Sequence, residues 1–328
     1  MEKKLILVLC LLMVAAGCQP AVVDTLPQVS VPDNALALIA ADYPRVDGST
    51  SAFPLQMQVA CEVLGVTCVW WDHSPFDLFS GDTRGIYPEE ENILLGSELG
   101  EKFFNIRHNG THDAYMNLIK GDADIILVAR QPSDDEIGAA RLRGVTLNIQ
   151  PVALDAFVFL LNAENELDEL TLDTIRDIYT GKYTYWEEVG GGGGVIQPYQ
   201  RDPQSGSQQL MEKLVMQGTP TIDAPDMILI GMMGPFNALS GDIYGIGYSV
   251  YFYAEYMFTS ETVKMIGVDG VDPTSKNISQ RKYPLTTEVY VVIRENTPED
   301  STARLLRDWL LTEAGQDVVA MSGYVPLP

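Results

Sequence analysis

Along most of this chain, apolar positions recur with two periods in turn, and that alternation predicts its elements. Short runs rich in β-branched and aromatic residues read as strands at 66–71, 103–107, 124–128, 145–152, 156–161, 245–251, 263–268 and 288–293. Between them the spacing lengthens to that of a helix. Leu55, Val59, Val63 and Leu64 share one face before Gly65. Comparable stretches begin at Thr111 and Asp134, cover 170–179, 302–311 and 313–321, and leave a mixed helical pattern over 223–233. Leu210, Leu214 and Val215 form another face, which Gly218 ends. Strands alternating with helices predict an α/β chain with mainly parallel sheets. The 328 residues exceed one ordinary core, so two lobes are expected.

The candidate chemistry lies where strand passes into helix. Val195-Ile196 leads into Arg201-Asp202-Pro203-Gln204-Ser205-Gly206-Ser207-Gln208. Ser205 suits the N-cap, and Gln208 completes a capping box. Val46 leads into Asp47-Gly48-Ser49-Thr50-Ser51, where Ser51 suits a cap and Pro54 the first turn. Asn109-Gly110 turns into a helix capped by Thr111, with Asp113 in its first turn. Each site sets a hydroxyl beside glycine after a strand, at the strand ends where open α/β sheets bind ligands. The first N–H groups of a helix have no partner within it and carry partial positive charge, so an anion fits there. Gly206 lets a ligand approach the backbone, and Arg201 offers a fork of donors to an oxyanion. The five glycines at 190–194 are followed by Val195, not by Lys and Ser or Thr, so they read as a flexible turn rather than a phosphate loop.

Composition narrows the partners. A net charge of −24 argues against nucleic acid. It also argues against long-range steering of an anion, so an anion site must work through local donors. Lys3 and Lys4 precede an apolar run from Leu5 to Ala16 that is too short to span a membrane, so 1–17 reads as a signal peptide. Ala15-Ala16-Gly17-Cys18 resembles a bacterial lipobox, which predicts cleavage before Cys18 and lipidation of its thiol. Residues 18–44, interrupted by Pro20, Pro27 and Pro32, read as a tether with a short helical turn at 35–41. Cys61 and Cys68 remain in an exported chain; a disulfide and a pair of buried thiols both fit them.

Six stretches together carry a family resemblance. They are Asp47-Gly48-Ser49-Thr50-Ser51, Gly121-Asp122-Ala123-Asp124-Ile125, 170–182, Arg201 through Ser207, Tyr283-Pro284-Leu285 and Gly323-Tyr324-Val325-Pro326-Leu327. Spread over nearly all of 45–327, they resemble the PstS-like phosphate-binding lipoproteins of bacterial phosphate ABC importers. The resemblance implies a two-lobed type II periplasmic-binding fold with a two-strand crossover hinge. Lobe one would be 45–153 with 285–328 and lobe two 154–284, crossing near Val152 and Leu285. It implies a monomer without cofactor, held on the outer face of the cell membrane by its lipid, that passes phosphate to permease subunits and catalyses nothing. Carried over by position, the ligand set is Ser51, the backbone N–H of Ala52, Thr111, Arg201, Ser205, Gly206 and Ser207.

One position departs. Five residues after Asp124 the family commonly has an aspartate or serine on the ligand; here Ala129 stands there, followed by Arg130. An acceptor reads the proton that hydrogen phosphate carries and sulfate lacks. Asp155, just past the first predicted crossing, and Asp113 are the candidate replacements, with water or a backbone carbonyl as the alternative. His108 and His112 have a zinc-ligand spacing, but Asn109-Gly110 breaks the helix between them, so no metal is expected. His112 stands beside Thr111 in the sequence. Three rivals remain: a binder of sulfate or molybdate, a secreted hydrolase using Ser205, and a surface sensor or adhesin.

Overall fold

The computed structural model describes residues 29–72, 83–89, 97–258 and 260–328. The signal-peptide reading of 1–17 and the lipidation of Cys18 lie outside them. In chain order, α1 is Ala35–Ala41, β1 Val46–Gly48, α2 Phe53–Leu64, β2 Cys68–Trp71, β3 Gly85–Pro88, α3 Glu98–Phe104, α4 Thr111–Lys120, β4 Ile125–Val128, α5 Asp134–Leu142 and β5 Leu147–Asn162. Then come β6 Glu169–Leu170, α6 Leu172–Tyr179, β7 Gln197–Pro198, β8 Gln200–Arg201, α7 Gly206–Leu210, β9 Ile228–Leu229, α8 Gly234–Gly241 and β10 Gly245–Val250. The last elements are β11 Val263–Val268, α9 Ser275–Ser279, β12 Thr286–Arg294, α10 Thr302–Leu310 and α11 Glu313–Met321. Among the described residues no helix is long and apolar enough to cross a membrane.

The long β5 pairs with two different sets of strands. From Leu147 to Ala156 it pairs with β12, which pairs with β4, which pairs with β1. From Phe157 to Asn162 it pairs with β10 and β11 instead, and these carry β7 and β6. The strand therefore leaves one sheet and enters the other between Ala156 and Phe157. The chain returns at Tyr283 to Leu285, where the Phe157 N–H donates to the Leu285 carbonyl at 2.9 Å and ties the two crossings together. From Val152 onward every residue of β5 is buried. That explains why its sequence is a continuous apolar run rather than an alternating one.

The class is α/β and two-lobed, but the sheets are mixed rather than mainly parallel. The outer pairs β1–β4, β7–β10 and β6–β11 are parallel, whereas β5 and β12 run antiparallel to every strand beside them. The two strands expected at 145–152 and 156–161 are one. Pro151 lacks an N–H, and the ladder absorbs the defect through a register shift opposite Val289 and Tyr290 instead of ending. The strand expected at 103–107 does not form: Phe103 and Phe104 end α3, which the Ser97 hydroxyl caps by accepting from the Gly100 N–H. Only Ile106 bridges β1, at Val46. The helical stretch expected at 223–233 reduces to a single 3-10 turn at Pro225–Met227, followed by β9. Gly231 then takes a left-handed φ of 71°, and a helix resumes only at Gly234.

Part of the segment read as a tether is packed. Ile39 of α1 is fully buried in the hydrophobic core, and Lys102 Nζ donates to the Ala40 carbonyl at 2.9 Å. Cys61 and Cys68 are joined as a disulfide between α2 and the start of β2, with their Cα atoms 6.0 Å apart.

Candidate anion-binding site

The first wall of the site grows from the end of β1. The buried Asp47 carboxylate accepts from the N–H groups of Gly48 (2.8 Å) and Asn109 (3.0 Å). It also accepts from the side-chain amides of Asn109 (2.8 Å) and Asn117 (2.7 Å). One carboxylate thus ties β1 to the Asn109-Gly110 turn and to α4. Gly110 has φ 93°, a conformation open to glycine, and sets Thr111 as the first residue of α4. The Thr111 and Ser49 hydroxyls are 2.8 Å apart, and Ser49 Oγ accepts from the Ala129 N–H at 3.0 Å. With Ser49 donating to Thr111, the Thr111 proton is left for an anion in the cleft.

The second wall is built on β8. Arg201 is 4% exposed. Its N–H donates to Gln208 Oε1 (3.1 Å) and to Tyr248 Oη (3.0 Å). Its Nε donates to the Leu229 carbonyl (3.2 Å), and Nη1 meets only the Met232 sulfur at 3.7 Å. Among the described residues no carboxylate lies within ion-pair distance of the guanidinium. Burial pushes its pKa below the usual arginine value. Beyond it, Ser205 caps α7 by accepting from the Gln208 N–H at 3.0 Å.

The walls enclose a cavity of about 390 Å³. Ser49, Thr50, Ser51, Asn109, Gly110, Thr111, His112, Asp113 and Ala129 line one side of it. Arg201, Asp202, Ser205, Gly206, Ser207, Met232 and Val250 are among those lining the other. The sides touch: a Cβ on Gly206 would fall 2.6 Å from Thr111 Oγ1. The glycine suited to a ligand's approach also sits against the opposite wall.

The expected residues therefore converge, with corrections. Ser51 lines the cavity but lies inside a 3-10 turn, Thr50–Ala52, and does not cap α2. The Ala52 N–H is already spent on the Ser49 carbonyl at 3.0 Å, and Ala52 is fully buried away from the lining. Thr111 opens α4 rather than capping it. Gln208 does not complete a capping box, because its carbonyl turns inward to the Arg201 N–H and to the Tyr248 hydroxyl. Asp155 is absent from the lining. It is buried at the strand crossing, where Oδ1 accepts from the N–H groups of Ala156 (2.8 Å) and Phe252 (3.0 Å) and Oδ2 has no partner. Burial, partly offset by those two bonds, pushes its pKa up to about 7. Asp113 does line the cavity, but from an exposed position. Arg130 forms two 2.8 Å hydrogen bonds with the buried Glu136 carboxylate. The His108 ring packs at a tilt against Phe53, with ring centroids 4.4 Å apart. Ser49 was not singled out from the sequence; its signal was the run of three hydroxyl residues after Gly48.

This fold and cleft define a class. Residues 99–313 match the model of the PBP superfamily domain, and the chain belongs to that family. The resemblance read from its motifs is borne out by its relatives. Protein SphX of Synechococcus elongatus is 24% identical over 260 residues, 74% of this chain and 75% of that one. The phosphate-binding protein PstS of Pseudomonas aeruginosa is 25% identical over 242 residues, 68% of this chain and 74% of that one. A Clostridium perfringens protein crystallised with bound phosphate superposes with a TM-score of 0.61 at 24% identity, covering 86% of this chain and 98% of its own.

Proposed function

We propose that this protein is an extracytoplasmic solute-binding protein that captures hydrogen phosphate between its lobes and delivers it to an ABC permease. The observation that carries this reading is Arg201, a buried cation facing the cleft with no carboxylate partner among the described residues. A charge removed from water is costly unless paired, and a bound oxyanion would supply the missing partner. The curated relatives named as phosphate-binding proteins support phosphate as that anion.

In this reading the ligand set is Ser49, Ser51, Thr111, Arg201, Ser205, Gly206 and Ser207. Lobe one is 45–153 with 285–328 and lobe two is 154–284, an assignment supported by the exchange of β5 partners next to Ala156. An anion gripped by both walls would favour the closed form, in which Gly206 sits against Thr111. The protein acts by capture and not by catalysis, and a lipid on Cys18 keeps it beside its permease.

Calorimetry of the purified protein with phosphate, arsenate, sulfate, molybdate and a phosphate monoester tests the proposal. One saturable phosphate site is expected. A preference for sulfate or molybdate would replace phosphate as the ligand, turnover of the monoester would replace capture with hydrolysis, and silence toward every anion would leave a sensor or adhesin. Membrane fractionation tests the anchor: Cys18→Ser should release the protein, and equal retention of both forms would remove the lipid from the account.

A further inference from the structure

The cleft needs a group that accepts the proton of hydrogen phosphate, and its carboxylates are poorly placed to do so. Asp113 is exposed at the rim. Asp202 is partly exposed and caps its own turn, with Oδ1 accepting from the Gln204 N–H at 2.9 Å. Asp155 lies outside the lining. Ala129 has no side-chain acceptor, and its neighbour Arg130 is turned away into Glu136.

We infer that His112 reads this proton, an assignment that rests on the phosphate reading above. His112 lines the cavity beside Thr111, and its ring is partly covered. Its Nδ1 lies 3.0 Å from Glu136 Oε1. The Glu136 side chain is fully buried, and both its oxygens are occupied. Oε1 receives Arg130 Nη2 and His112, while Oε2 receives Arg130 Nη1 and the Ser133 N–H at 2.8 Å. Burial alone would raise the Glu136 pKa, but the Arg130, Ser133 and His112 bonds hold it below the usual glutamate range. An ionised carboxylate can only accept, so Nδ1 must donate.

That fixes the tautomer. In the neutral ring, Nε2 carries the lone pair and no hydrogen. A hydrogen phosphate in the cleft can donate its O–H to Nε2, while Thr111 and Arg201 donate to its other oxygens. Sulfate has no proton to give, and its oxygen would face the lone pair of Nε2. Arg130 and Glu136 are positioning residues in this scheme, since they act on the ligand through the histidine ring.

The test compares inorganic phosphate with inorganic sulfate at about pH 8, where singly protonated phosphate dominates. Calorimetry on wild type, His112→Phe and His112→Gln gives the ratio of the two affinities. Wild type should bind phosphate and reject sulfate. His112→Phe keeps a ring but loses the acceptor, so phosphate should weaken roughly ten- to hundredfold while sulfate holds or improves. His112→Gln retains an acceptor and should fall between. Nitrogen NMR of the wild-type imidazole supplies a readout independent of folding in the variants: phosphate, and not sulfate, should shift a non-protonated Nε2. A phosphate-to-sulfate ratio within about twofold of wild type in folded His112→Phe would overturn the inference, as would a proton on Nε2 in the neutral ring. Phosphate binding by wild type alongside either result would leave the phosphate reading standing; no phosphate binding by wild type would remove both.

Discussion

Arg130 and Arg201 are buried almost equally, at 5% and 4% exposure, yet the protein treats them oppositely. Arg130 is matched from within, by two hydrogen bonds to a carboxylate that the same loop and helix supply. Arg201 is left with a carbonyl, a thioether and a cavity. A guanidinium is too costly to bury without some counter-charge, so the difference marks which one belongs to the fold and which one awaits a ligand. The same logic explains an anion site in a chain with net charge −24. The field of the whole molecule repels anions, and the site works because its donors are local and fixed.

The largest effect is expected at Arg130. Arg130→Ala strands Glu136 in the interior and should lower stability by about 3–5 kcal/mol. Double substitution with Glu136→Gln should recover part of that loss. Denaturant unfolding reads both, and a stability unchanged by Arg130→Ala would erase the distinction between the arginines. At Arg201 the balance should reverse. Arg201→Ala is expected to weaken phosphate binding by about 2–5 kcal/mol with the melting temperature held or raised. A mutant that melts early and still binds normally would make Arg201 structural.

Asp155 extends the comparison to an acid. Its pKa of about 7 when folded lies above that of an exposed aspartate. Between about pH 4 and pH 7 the folded chain keeps a proton that the unfolded chain releases, so stability falls as pH rises through that window and is level above it. The full swing is roughly 4 kcal/mol. Asp155→Asn keeps the acceptor for Ala156 and Phe252 but adds an unpaired amide costing about 1–3 kcal/mol. The variant should therefore overtake wild type by roughly 1–3 kcal/mol at about pH 8 and lose its advantage near pH 4. Parallel melting curves for the two proteins across that range would contradict the assignment of the buried proton. The smallest expected effect is at Gly206. Gly206→Ala drives a methyl into Thr111 Oγ1 and should hold the walls apart, weakening phosphate roughly tenfold with little change in stability.

Much of this was legible in the sequence because it depends on local chemistry. Hydroxyl-glycine turns at Ser51, Thr111 and Ser205 announce backbone conformations that do not need the rest of the fold, and all three converge. What was hidden depends on side-chain direction. Spacing suited Gln208 to a capping box, but only the packed structure turns its carbonyl to Arg201 and Tyr248. Spacing put Asp155 beside the crossing, but β5 points it into the hinge and away from the cleft. Ala153 to Asp155 fell between two expected strands, but they pair with β12 at Val289, Glu288 and Thr287, so the strand runs on. Ala52 matched a motif position, and its N–H was consumed by the turn the motif itself makes.

The position of the anion decides most between these readings. A crystal structure of this protein grown with phosphate should show one tetrahedral anion in the cleft, with Arg201 Nη atoms on one side and the Thr111 hydroxyl on the other, each within hydrogen-bond distance. Phosphate bound elsewhere, or a cleft empty at saturating phosphate with Arg201 turned to a protein carboxylate, would contradict it.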